Sequence, residues 1–309
     1  MKGILKVFGV SFIFLIFFAS CKKTEEAAYQ TETEAKFILN LAYGEDAKQV
    51  MDVYLPQNRT SNTPIIIFVH GGSFIGGDKN EFNNHAKYLA ASGYAVLNVN
   101  YRLVDASGVF EATPKHFFSA IKVKDQVVDI SKIVDFAIAH TKEWVVNGNR
   151  IAMVGHSAGA TLALLYAYGD RNTNKVQAVS NLAGALDMVF TNIPNWQFHP
   201  PYVFEGGYRF TGFEISVANE QHFKDISPFY VANSAKNIAT LNVFPQNNDV
   251  LGLPKQDVST YNAFTIKLNE LKIKNEFIFV AGADHGFTQT GKWQLILDKT
   301  VAYFNANLN

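Results

Sequence analysis

The pentapeptide Gly155-His156-Ser157-Ala158-Gly159 is the feature that most constrains the fold of this 309-residue chain. An apolar run at residues 150–154 precedes it, and an apolar segment rich in alanine and leucine follows at 160–166. The pattern therefore predicts a buried strand that enters a helix through a very tight turn. Glycines two positions before and after the serine allow backbones to cross closely. A glycine-rich turn without function is the alternative, but the flanking strand and helix favour a nucleophilic serine.

Patterns typical of strands and helices alternate along the body of the chain. The predicted strands are residues 37–43, 49–55, 64–69, 94–100, 150–154, 178–183, 239–244 and 276–280. The predicted helices are residues 81–91, 124–140, 160–166, 258–271 and 293–304. This alternation indicates an α/β fold, with a mostly parallel sheet covered by helices on both faces. The first two strands, separated by Gly44-Glu45-Asp46, form an antiparallel hairpin at its edge.

Residues 187–230 interrupt this alternation with a stretch rich in proline, glycine and aromatic residues. A connection of this length is usually functional, and we expect a lid or cap insertion over the carboxyl ends of the strands. Trp196 and Phe198 are its candidate substrate contacts. A packed structural excursion is the alternative for any single aromatic residue in this stretch.

The amino terminus has the pattern of an export signal. Two lysines precede an apolar run at residues 7–19, which is too short to span a bilayer as a helix and ends in Phe18-Ala19-Ser20-Cys21. This ending resembles a bacterial lipobox, and Cys21 is the only cysteine of the chain. We therefore expect a signal peptide at 1–20, a lipidated Cys21, a polar tether at 21–36 and a catalytic domain at 37–309. An exported bacterial lipoprotein, anchored to a membrane on its periplasmic or outer face, is the predicted location.

Composition excludes several other classes of function. The chain has 27 basic and 27 acidic side chains, so nothing in its charge favours binding to nucleic acid. A single cysteine rules out an intrachain disulfide, and its place in the lipobox leaves no thiol for catalysis or metal binding. The sequence gives no indication of oligomeric state.

A serine becomes a nucleophile when a base takes its proton and a third group orients that base. His285 directly follows the last predicted strand and is the predicted base, whereas His199 and His222 lie in the insertion. Asp249 follows the preceding strand by a short turn and is the predicted acid. The other downstream aspartates are less suitable, because they lie in the insertion, near the following helix or beside the histidine: Asp187, Asp225, Asp257 and Asp284.

A second glycine-rich turn follows the buried strand at 64–69. The sequence His70-Gly71-Gly72-Ser73-Phe74 leaves backbone N–H groups free to approach a developing negative charge. Gly71 and Gly72, together with Ala158 after the serine, are the predicted oxyanion-hole donors. Ser73, Phe74 and His156 are further candidates for contact with substrate.

Four segments carry a family resemblance: HGGSFIGGDK at 70–79, NYRL at 100–103, GHSAGA at 155–160 and DHGF at 284–287. Together they resemble the α/β-hydrolase superfamily, in the esterase/lipase branch that includes feruloyl- and acetyl-esterase-like enzymes and relatives of hormone-sensitive lipase. The resemblance implies an eight-stranded sheet, a Ser157–His285–Asp249 triad, and neither cofactor nor metal. It also implies that Asp78 holds the oxyanion loop. The segment from Asp249 to Pro254 is one residue longer than the family pattern, which leaves the register of the acid open.

These features predict a serine carboxylester hydrolase that acts on small or aromatic acyl esters, with esters of carbohydrates among the candidates. The expected partners are a small-molecule ester and, through the lipid anchor, a membrane. An amide or peptide hydrolase, similar to arylformamidases, would use the same residues and is the main alternative. A non-catalytic binding lipoprotein on the same fold is the third hypothesis.

Overall fold

The computed structural model describes residues 33–249 and 256–308, which form one eight-stranded sheet with helices on both of its faces. The predicted signal peptide, Cys21 and most of the predicted tether lie outside the described residues. The strands are β1 (Lys36–Ala42), β2 (Val50–Leu55), β3 (Ile65–Val69), β4 (Ala95–Val99), β5 (Ile151–His156), β6 (Val176–Leu182), β7 (Ala239–Asn247) and β8 (Asn275–Asp284).

Helices connect the strands as the alternating pattern predicts. They are α1 (Asn83–Ala91), α2 (Val123–Ala139), α3 (Thr141–Trp144), α4 (Ala158–Tyr168), α5 (Pro201–Thr211), α6 (Glu220–Lys224), α7 (Pro228–Val231), α8 (Val258–Glu270) and α9 (Lys292–Asn307). Single 3-10 turns lie at Lys79–Phe82, Phe190–Asn192, Trp196–Phe198 and Val217–Asn219. Within the described ranges, none of these helices has the length and apolar character needed to cross a membrane.

The strand order explains where a site can form. The sheet runs β1-β2-β4-β3-β5-β6-β7-β8, with β1, β2 and β4 antiparallel neighbours and all later pairs parallel. The chain passes from β3 outward to β4 and then returns across β3 to β5, so the direction of winding reverses between β3 and β5. Ligands of open α/β sheets bind at the carboxyl ends of the strands at such a reversal. The two glycine-rich turns follow these two strands.

Both faces of the sheet are buried, which accounts for the continuous apolar runs in the central strands. Ile65, Ile67 and Val69 of β3 belong to the core beneath α2, α4 and α8. Ile66 and Phe68 point to the opposite face, where α1 and α9 cover them. The predicted α/β class, the antiparallel hairpin of β1 and β2 and the mostly parallel sheet are confirmed.

Residues 187–230 contain three short helices rather than an extended excursion. The buried Arg209 of α5 forms an ion pair of 2.6 Å with Glu205 and donates hydrogen bonds to the carbonyl groups of Asp105 and Ser107. Because a buried guanidinium needs all of its donors satisfied, this contact fixes α5 to the loop that follows β4. The role of this segment as a lid stays a prediction.

The glycines of the pentapeptide are required by two close backbone approaches. A side-chain carbon on Gly155 would lie 2.5 Å from the Cα of Ala160, and one on Gly159 would lie 2.2 Å from the carbonyl oxygen of Val69. Ser157 between them has φ 53° and ψ −125°, a strained conformation for a residue with a side chain. The packing of α4 against β3 and β5 therefore holds the serine at the turn.

We expect Gly159→Ala to lower the free energy of unfolding by about 3 kcal/mol or more, because the new methyl group collides with backbone atoms that cannot rotate away. Gly206→Ala is the matched control, since Gly206 lies inside α5 and a carbon there meets no atom within 4 Å. This control should gain about 0.5–1 kcal/mol through helix propensity. Urea denaturation of the three proteins measures both effects. Equal midpoints for Gly159→Ala and the wild type would contradict the close approach.

Candidate active site

Ser157 lies at the junction of β5 and α4, at the carboxyl edge of the sheet. Its backbone N–H donates to the carbonyl oxygen of Leu182 at 2.8 Å, which ties the turn to the neighbouring strand β6. The side chain is largely buried, with 5% of its surface exposed. The hydroxyl therefore has few orientations and faces the residues that follow the last strand.

His285 follows β8 and contacts the serine directly. Its Nε2 lies 2.8 Å from the Oγ of Ser157. Burial, assisted by the nearby His156, lowers the pKa of the His285 imidazole to about 4. The ring is therefore neutral at physiological pH and can accept the proton of the serine hydroxyl.

Asn248 makes the hydrogen bond on the other side of the imidazole. Its Oδ1 lies 2.6 Å from Nδ1 of His285, and its Nδ2 donates to the carbonyl oxygen of Gln256 at 3.0 Å. Because a carbonyl oxygen can only accept, this second contact sets which end of the amide faces the histidine. Nδ1 must then carry the proton of the neutral ring, and Nε2 keeps the lone pair that faces Ser157.

Asp249, the predicted acid, lies one residue beyond this contact. It is exposed, and within the described residues the Nδ1 of His285 is bonded to Asn248 instead. The register of β7 against β8 shifts between Pro245 and Asn247, and Gln246 and Asn247 are both exposed. This irregularity breaks the alternation of side chains, so that residue 248 rather than 249 points inward. Asn248 is thus a residue that sequence reasoning missed.

The remaining aspartates that were considered have other partners. Asp257 accepts hydrogen bonds from the first backbone N–H groups of α8, and Asp225 pairs with Lys124. Asp284 accepts from the backbone of Thr288 at 2.9 Å. Asp187 accepts from the N–H of Val189 at 2.8 Å. None of these contacts involves the imidazole of His285.

The turn after β3 lies against the serine, as the predicted oxyanion loop requires. A side-chain carbon on Gly71 would lie 3.1 Å from the Cβ of Ser157. Gly72 has φ 116°, which a residue with a side chain rarely adopts. Within the described part of the chain, the N–H groups of Gly71, Gly72 and Ala158 donate to no other group. They are free to bind an anion above the serine.

Aromatic packing and a salt bridge support this loop from below. His70 stacks on Tyr101 with ring centroids 4.4 Å apart, and the Tyr101 hydroxyl donates to the carbonyl oxygen of His70 at 2.9 Å. Asp78, which the family resemblance implicates in holding the loop, accepts from the amide of Asn100 at 2.8 Å. The next residue, Lys79, forms a buried ion pair of 2.8 Å with Asp52. The loop is thereby fixed to β2 and to the end of β4.

The other predicted substrate contacts fall into two groups. Ser73 and His156 line the cleft around Ser157. His156 is buried, and its Nε2 donates to the carbonyl oxygen of His285 at 2.9 Å. Phe74, in contrast, is fully buried against Phe210.

Neither aromatic residue predicted from the insertion lines this cleft. Trp196 packs against Phe204, and Phe198 has 85% of its surface exposed. Their place in an aromatic-rich segment is therefore no guide to substrate contact. The composition of the segment could not indicate which rings turn toward the sheet.

Two hollows adjoin the serine. The cleft that contains Ser157 and His285 has a volume of about 780 Å³ and is lined on its outer side by Glu81, His85 and Trp293. A smaller pit of about 380 Å³ lies beside Ser73 and is walled by Phe110, Tyr202 and Phe210. Within residues 33–249 and 256–308, no cluster of three His, Cys, Asp or Glu side chains could hold a metal ion.

Comparisons with known proteins agree with this architecture. Residues 51–199 match the protein family described as BD-FAE. A probable isoprenylcysteine alpha-carbonyl methylesterase of Arabidopsis thaliana is 29% identical over 124 residues, which are 40% of this chain and 23% of that protein. The kynurenine formamidase of Salmo salar is 25% identical over 159 residues, which are 50% of this chain and 48% of that protein. The chain thus spans half or less of these curated relatives.

Among solved structures, a truncated carbohydrate esterase from gut microbiota superposes with a TM-score of 0.66. The alignment covers 90% of this chain and 99% of that one, at 18% sequence identity. Together with the strand order and the two glycine-rich turns, these similarities identify the chain as a member of the α/β-hydrolase superfamily, in its esterase/lipase branch.

Proposed function

We propose that this protein is a serine carboxylester hydrolase. The observation that carries the proposal is the hydrogen-bonded series from Ser157 through His285 to Asn248, with distances of 2.8 and 2.6 Å. This series places a neutral base against the hydroxyl of a serine held at the turn. The free N–H groups of Gly71, Gly72 and Ala158 lie on the same side of the serine.

In the proposed reaction, Oγ of Ser157 attacks the ester carbonyl while Nε2 of His285 takes the hydroxyl proton. The carbonyl oxygen becomes an oxyanion that the loop N–H groups and Ala158 bind, each such donor typically lowering the barrier by about 3 kcal/mol. The C–O bond then breaks, and the imidazolium returns its proton to the leaving alkoxide. Water, deprotonated by His285, hydrolyses the acyl-enzyme and restores the serine.

The pit beside Ser73 favours a short or aromatic acyl group. Its walls are mostly aromatic and its volume, about 380 Å³, is at the lower end for a small-molecule site. Since Ser73 lines both the pit and the cleft, an acyl group bound to Ser157 can extend past it.

An amide hydrolase is the second candidate, and the similarity to a kynurenine formamidase favours it. Amides and esters pass through the same tetrahedral oxyanion, so the residues around Ser157 suit both. The nature of the leaving group separates the two hypotheses. A non-catalytic binding protein would not require a strained serine hydrogen-bonded to a neutral histidine.

Labelling with a fluorophosphonate tests the nucleophile. We expect the wild type and the control Ser61→Ala, which changes an exposed turn residue, to be labelled equally. Ser157→Ala should lose both the label and turnover of p-nitrophenyl acetate, with a fall in kcat of about 10³-fold or more. A folded wild type that takes no label would contradict the proposal. Turnover of aryl formamides, with no turnover of acetyl or feruloyl esters, would favour the amide hydrolase.

The pH profile tests which residue orients His285. Because the base acts when neutral and burial lowers its pKa to about 4, kcat/KM should stay constant down to about pH 5 and fall below pH 4. Asn248→Asp should move this acid limb upward by about 1–3 pH units, because a carboxylate beside Nδ1 stabilises the imidazolium. Asn248→Ala should lower kcat/KM about 10- to 100-fold through loss of one hydrogen bond.

Asp249→Asn is the matched control for this experiment, and its profile should equal that of the wild type. Circular dichroism at each pH separates loss of activity from unfolding. A wild-type acid limb near pH 6–7 that shifts downward in Asp249→Asn would show instead that Asp249 is the acid of the triad.

We further propose that the chain is exported and anchored to a membrane through Cys21. The proposal rests on the basic start, the apolar run at 7–19 and the position of Cys21 after Ala19-Ser20. In a bacterial host, radiolabelled palmitate should be incorporated into the full chain, and Cys21→Ser should abolish both the label and membrane sedimentation. Equal incorporation into both proteins would contradict a lipid anchor at this residue.

A further inference from the structure

The outer wall of the cleft consists of groups that the proposed catalysis does not use. Glu81 and His85 come from the 3-10 turn and helix that follow the oxyanion loop, and Trp293 comes from the start of α9. The rings of His85 and Trp293 are in contact, with centroids 4.1 Å apart. A continuous polar and aromatic wall therefore faces Ser157 from the His285 side.

His85 presents a hydrogen-bond donor to this cleft. Burial lowers the pKa of its imidazole to about 4, so the ring is neutral and carries one proton. Its Nδ1 is buried and has no partner within the described residues. A buried N–H without an acceptor is rarer than a buried lone pair without a donor, so the proton belongs on Nε2. Nε2 is the ring nitrogen left to reach the cleft.

Glu81 and Trp293 add an acceptor and an apolar surface, and both are held in place. One carboxylate oxygen of Glu81 accepts the backbone N–H of Asp78 at 3.1 Å, which leaves its second oxygen for the cleft. The indole N–H of Trp293 donates to the carbonyl oxygen of Gly286 at 2.9 Å. The wall is therefore pre-formed, and its binding groups lose little entropy when they are occupied.

Chemistry assigns this side of the cleft to the alcohol half of the ester. The leaving alkoxide must receive its proton from Nε2 of His285, so it departs next to that ring. His285 and Gly286 border the cleft beneath this wall. The acyl half then points the other way, past Ser73 into the pit walled by Phe110 and Tyr202.

We propose that His85, Glu81 and Trp293 form a subsite for a sugar as the leaving alcohol. A pyranose offers hydroxyl groups that accept from Nε2 of His85 and donate to the carboxylate of Glu81, and it has apolar C–H faces that pack on the indole. A simple alkyl alcohol would leave the two polar groups unpaired. This inference rests on the proposed ester hydrolysis and specifies the alcohol of its substrate.

Two acetyl esters that differ only in the alcohol test the subsite: methyl 6-O-acetyl-glucopyranoside and ethyl acetate. In the wild type, kcat/KM should be higher for the sugar ester. His85→Ala should lower the ratio of the two kcat/KM values about 10-fold or more, because a site built to bond a hydroxyl discriminates strongly by that bond. Glu81→Gln should lower the same ratio, and His85→Gln, which retains a donor, should restore part of it.

Asn84→Ala is the matched control, since Asn84 is exposed on the same helix and does not line the cleft. Its ratio should equal that of the wild type. An unchanged ratio in folded His85→Ala and Glu81→Gln, with both esters still hydrolysed, would overturn the sugar subsite and leave the proposed hydrolase intact. No turnover of either ester by the wild type, together with no fluorophosphonate labelling, would overturn both.

Discussion

The close approach of α4 to the end of β3 is the constraint on which the site depends. Gly159 lies so near the carbonyl groups of Val69 and His70 that no side chain fits there. This contact joins the two turns at the reversal of the sheet, because the first residues of α4 carry Ser157 and Ala158 and the end of β3 carries Gly71. A single packing contact between backbones thus sets the distance between the nucleophile and the N–H groups that would bind its oxyanion. The positive φ of Ser157 is tolerated because the buried helix and strand on either side determine it.

The base is supported by neutral groups rather than by a charge. Asn248 accepts from Nδ1, and His156 donates to the backbone carbonyl of His285. The first contact selects the tautomer, and the second holds the turn that carries the ring. A carboxylate in the place of Asn248 would do the same and would also stabilise the imidazolium formed during attack. With an amide there, the resting imidazole stays neutral over a wide range of pH, but the developing charge must be met by other dipoles of the site.

The sequence was informative wherever function follows a regular element and less so where an irregularity decides the geometry. Alternation of strands and helices predicted the sheet, and Ser157 and His285 could be found because each follows a buried strand directly. Asn248 could not be distinguished from Asp249, since a local shift in the pairing of β7 and β8 reverses which side chain points inward. The rings of Trp196 and Phe198 could not be placed either, because an aromatic-rich segment of short helices has no periodicity that relates it to the sheet.

The wall opposite the pit illustrates a more general limit. Glu81, His85 and Trp293 have no common motif, and about 200 residues separate His85 from Trp293 along the chain. They meet because α1 and α9 cover the same face of the sheet and contact each other near its carboxyl edge. The fold therefore gives the cleft two sides of different chemistry, an aromatic pit next to the oxyanion loop and a polar wall next to the base. Since the proton must return to the leaving group on the side of the base, the polar wall is the side that selects the alcohol.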